Sequence, residues 1–97
     1  MYALVVIRYR LPIEEVEKVR ADHRSYLRGL LDSGVLLASG PMDPMSGGVL
    51  LVKVPDDNVQ AALNGIRDED PFFFKHVASY ELIPWNVVIG RESLDKL

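Results

Sequence analysis

The chain has 97 residues, 48 % of them hydrophobic and 26 % charged, the size and composition of one soluble globular domain. A net charge of −3 leaves no basic footprint for nucleic acid, and the absence of cysteine excludes disulfides, thiol catalysis and cysteine-based zinc sites while suiting a cytoplasmic protein. A domain of this length buries only roughly 60–65 % of its unfolded surface, so a partner subunit would add to a thin margin.

Residues 2–9 (YALVVIRY) are short and rich in β-branched and aromatic types, and predict a strand rather than a signal peptide or membrane span. Pro12 fits the first turn of a helix, with Glu14, Glu15 and Glu17 at its positive end, a Glu14–Lys18 pair one turn apart, and Gly34 as its stop. A second strand is expected over 35–39, ending at Gly40-Pro41, and a third over 49–54, after a loop with Asp43-Pro44 and Gly47-Gly48. Pro55-Asp56-Asp57 marks a turn with an aspartate as helix cap, and a second helix over 57–67 turns Val59, Ala62, Leu63 and Ile66 inward. The aromatic run Phe72-Phe73-Phe74 follows Asp70-Pro71. Residues 77–83 predict the fourth strand, Trp85–Ile89 a short extra strand, and residues 90–97 a loose tail.

The order βαββαβ points to an α+β, ferredoxin-like fold, with two helices on one face of a four-stranded antiparallel sheet. Leu4 and Val6 oppose Val5 and Ile7, and Val49 and Leu51 oppose Leu50 and Val52, so both sheet faces are apolar. Two helices cover only one of them. The other predicts a homodimer, or a higher oligomer, packed through the sheets.

His23 shares the apolar stripe of the first helix with Val16, Val19, Tyr26, Leu27 and Leu30. A titratable ring placed there needs a partner, and Asp70, held in a turn by Pro71, is the candidate. A histidine oriented by a carboxylate in an apolar setting is the minimal kit for general acid–base chemistry, and equally a satisfied core hydrogen bond. Arg20, one turn before His23, is a candidate anchor for an anionic substrate or a snorkelling surface arginine. Ser39, Gly40 and Pro41 close a strand, as a simple turn or as a close backbone approach to a ligand. Phe72 is core or pocket wall, and His76 and Tyr80 are further polar candidates. No metal-ligand spacing, phosphate loop or nucleophile-elbow motif is present.

The motifs Arg20-x-x-His23-x-x-Tyr26-Leu27, Gly34-Val35-Leu36-Leu37-Ala38-Ser39-Gly40-Pro41, Asp70-Pro71-Phe72 and Ile83-Pro84-Trp85 together resemble the YciI-like, or YCII-related domain, family over nearly the whole chain. The resemblance implies a ferredoxin-like fold of the dimeric α/β-barrel group. It also implies a cleft built on His23 and Asp70, with Arg20, Gly40 and Pro41 as matching positions and no cofactor. Relatives linked to dehydrochlorination or muconolactone-isomerase-like chemistry imply isomerisation or elimination on a small, anionic or ring-shaped molecule. Phe73, Phe74, Lys75 and His76 depart from the pattern, standing where smaller or glycine-containing sequence is expected. Three readings remain: a cofactor-free enzyme, a non-catalytic small-ligand-binding or accessory dimer, and a structural hydrogen bond. None involves nucleic acid or a membrane.

Overall fold

Alternation along the first strand sets the layers of the molecule. In the computed structural model, which describes residues 1–97, β1 (Tyr2–Tyr9) turns Ala3, Val5 and Ile7 to one face, each at most 2 % exposed. It is flanked by β3 (Gly47–Lys53) and β4 (Ala78–Trp85), and β2 (Leu36–Pro41) joins β3; all pairings are antiparallel, in the order β2-β3-β1-β4. Helices α1 (Ile13–Asp32) and α2 (Val59–Asp68) supply Val16, Val19, Leu63 and Ile66 to a core shared with Val5, Ile7, Leu50 and Val52. Each such buried side chain stabilises the fold by about 1.5–3 kcal/mol. The result is the expected ferredoxin-like α+β layout. No helix is long and apolar enough to cross a membrane.

The element ends follow local chemistry. Gly34, at φ +83°, closes α1 in a double turn in which its N–H bonds Leu31 and the Val35 N–H bonds Leu30. Strand β2 runs on to Pro41 and β4 on to Trp85 through Pro84, because both are edge strands and an edge proline removes no ladder bond that must be made. Trp85 therefore ends β4 instead of starting a further strand. Strand β3 begins two residues earlier than expected, at Gly47, where a Cβ would stand 1.8 Å from the Ile7 carbonyl oxygen. Helix α2 starts at Val59 after Asn58, which sits in the left-handed region and makes no side-chain cap bond, while Asp56 lies 2.6 Å from the N-terminal ammonium. On α1, Lys18 pairs with Glu15 rather than with Glu14.

Two short helices complete the fold, α3 (Pro71–Phe74) and α4 (Arg91–Asp95). The latter lies within residues 90–97, and the Tyr2 hydroxyl donates to its Asp95. The sheet face away from α1 and α2 carries Leu4, Val6, Val49, Leu51 and Ile83, with Trp85 at its edge 41 % exposed.

Candidate active site

Pro71 keeps Asp70 out of helical geometry. At φ −80° and ψ 125°, Asp70 caps α3 while Pro71 occupies its first turn. The Asp70 side chain is completely buried, the one charged residue of the core. Its Oδ1 accepts two hydrogen bonds, from the Phe72 N–H at 3.0 Å and from His23 Nδ1 at 2.7 Å. The helical stripe of α1 and the Asp-Pro turn before α3 therefore meet at a single oxygen.

Phe72 holds the imidazole from below. The two rings stack at 3.9 Å between centroids and 7° between planes, and Tyr9 meets Phe72 edge-on at 5.9 Å. The His23 side chain is 12 % exposed, and what shows lines a cleft of about 280 Å³ between α1, the β2–β3 turn and the end of β1. A carboxylate only accepts, so the proton between the two groups is carried by Nδ1.

Arg20, Ser39, Gly40, Pro41 and Phe72 line the same cleft, and Asp70 lies behind His23 without reaching it. Gly40 has room for a side chain, whereas a Cβ on Gly48 would stand 3.0 Å from the Gly40 carbonyl. His76 lies on the surface, outside the cleft. Tyr80 is half-buried beside Asp70. Asp22 is exposed, 3.5 Å from Lys75.

The lining is cationic. Arg20 and Arg24 contribute to it, and no carboxylate side chain does. Arg20 donates from Nε to Glu17 at 3.1 Å, and its buried Nη2 makes no hydrogen bond, although it passes 3.0 Å from the same oxygen at a poor angle. Burial opposes the Arg20 charge, but Glu17 and Tyr9 outweigh it and the guanidinium is held more strongly protonated than usual. Arg24 escaped the sequence reading, though its place one turn beyond Arg20 was available as a signal. Tyr9 and Met45 also line the cleft, and neither belongs to a motif singled out in the sequence.

Residues 1–86 match the model of the YCII-related domain family. Among solved structures, 5-chloro-2-hydroxyhydroquinone dehydrochlorinase from Burkholderia phenoliruptrix AC1100, in complex with 2,5-dihydroxybenzoquinone, is similar with a TM-score of 0.71 at 19 % identity, covering 91 % of this chain and 96 % of that one. At that identity the likeness is one of fold. A search of curated proteins finds no match.

Proposed function

This chain belongs to the YCII-related domain family, and from that premise we propose that it is a cofactor-free general acid–base enzyme. Its substrate is a small ring-shaped organic anion, and the protein acts as a homodimer. The observation that carries the reading is the 2.7 Å contact between His23 Nδ1 and Asp70 Oδ1 at the wall of a cleft lined by two arginines. Asp70 fixes the tautomer and stabilises the imidazolium once a proton arrives.

His23 Nε2 takes a proton from a carbon or hydroxyl of the substrate. In an elimination, the electron pair left behind forms the new double bond, and the leaving group departs with its own pair. In an isomerisation, the same nitrogen returns the proton at another atom. Arg20 and Arg24 hold the negative charge that builds on the ring oxygens. The dehydrochlorinase, whose name states loss of hydrogen chloride from a chlorinated hydroxyhydroquinone, favours the elimination branch.

The test is anaerobic incubation with 5-chloro-2-hydroxyhydroquinone, following chloride release. Turnover is expected, lowered by about 10²–10⁴ in His23→Ala. Equal turnover in that variant would remove His23 from the mechanism. Tight binding of 2,5-dihydroxybenzoquinone with no turnover of any ring compound would make the protein a ligand-binding accessory dimer instead.

A further inference from the structure

Asp70 offers two oxygens, and its bonds to His23 and Phe72 use one. Oδ1 serves His23 and Phe72, while Oδ2 is buried with no hydrogen-bond partner. A buried carboxylate oxygen left unmet is costly. A second orphan lies beside it. The Tyr80 hydroxyl, reaching in from β4, is also buried and without a partner. Strand register sets Tyr80 opposite Ile7 on the core side of the sheet, and its ring meets Phe73 of α3 edge-on at 5.5 Å. One orphan only accepts and the other donates.

We propose that Tyr80 is a positioning residue for the pair: its hydroxyl donates to Asp70 Oδ2, orients the carboxylate toward His23 and sets how tightly the two hold a shared proton. Burial, followed by the charge of Asp70, pushes the Tyr80 hydroxyl far above its ordinary range, so it stays a donor throughout the working pH. The other titratable groups around Asp70 are His23 and Tyr26 from α1 and the neighbouring Glu69. Tyr26 cannot take the role, because its hydroxyl donates to the Ile66 carbonyl at 2.7 Å.

A donor to the carboxylate favours its charged form and weakens its hold on the imidazolium. Without the hydroxyl, the pair binds its proton more tightly, whichever partner carries it. The inference rests on the reading of His23 as a base, but its test uses no substrate and can fail independently of that reading.

Diethyl pyrocarbonate acylates neutral imidazole, and peptide mass spectrometry separates His23 from His76, which serves as the internal control. In Tyr80→Phe the ring packing on Phe73 is kept. The pH midpoint of His23 modification is expected to rise by about half a unit or more, with His76 unmoved. Site-specific 3-fluorotyrosine at position 80, a more acidic donor, is expected to lower the midpoint, and it decides the question if Tyr80→Phe fails to fold. A His23 curve that superimposes on wild type in both proteins, or a shift shared with His76, overturns the proposal.

Discussion

At the cleft wall the arginines differ in environment more than in chemistry. The Arg20 side chain is 17 % exposed and keeps a buried Nη2 free of hydrogen bonds, whereas Arg24 is exposed. A ligand oxygen meeting Nη2 satisfies a donor already stripped of water, while the same oxygen on Arg24 competes with solvent. Arg20→Ala should therefore weaken binding of 2,5-dihydroxybenzoquinone by about 10–100-fold, and Arg24→Ala only a few-fold, with a steeper dependence on salt. Titration of the quinone absorbance at two ionic strengths checks both. Equal losses in the two variants would show that burial does not set the anchor. His23 and Asp70 stood out in the sequence because one broke an apolar stripe and the other preceded a proline. Arg24 did not, and Tyr80 was only one polar candidate among several, because their meaning depends on which atoms of distant segments they face, and strand or helix periodicity records only a direction.

At the scale of elements, α3 is the piece that periodicity could not resolve. Phe72, Phe73 and Phe74 read as an undivided aromatic run, yet in the fold they separate. Phe72 stacks under His23, Phe73 meets Tyr80, and Phe74 is 52 % exposed. Four residues are too few for a helical period, and only the proline and its capping aspartate marked the start. The end of α3 explains the departure from the family pattern. The His76 N–H bonds Phe73 and the Val77 N–H bonds Phe72, the same closure that Gly34 gives α1, but here the left-handed position at φ +61° is held by a histidine. A side chain there is strained, and none is needed for the cleft. His76→Gly should raise stability by about 0.5–1 kcal/mol, read from the urea midpoint, with quinone binding unchanged. A lower midpoint would mean that the imidazole makes a compensating contact.

For the molecule as a whole, the strand pattern foretold two apolar sheet faces, and the chain by itself fills only one. The core face is closed by α1 and α2. The other presents Leu4, Val6, Val49, Leu51 and Ile83, framed by the Arg8–Glu81 pair at one end and by Tyr2, tied to Asp95, at the other. Strand alternation located this surface but not its boundary, because the closing of its Tyr2 end by α4 depends on a tail with no periodic signal. Leu51 is the informative residue, since it lies opposite Leu4 of β1 and Ala38 of β2 near the middle of the face. In a two-fold dimer any change on this face is met twice across the axis. A stable interface needs about 800 Å² from each partner, which a pair of facing carboxylates at its centre would break. Leu51→Glu should therefore turn a sedimenting dimer into a monomer at micromolar concentration while the circular dichroism spectrum stays that of the wild type. Wild-type protein that sediments as a monomer under the same conditions would refute sheet-to-sheet pairing and leave this face to another partner.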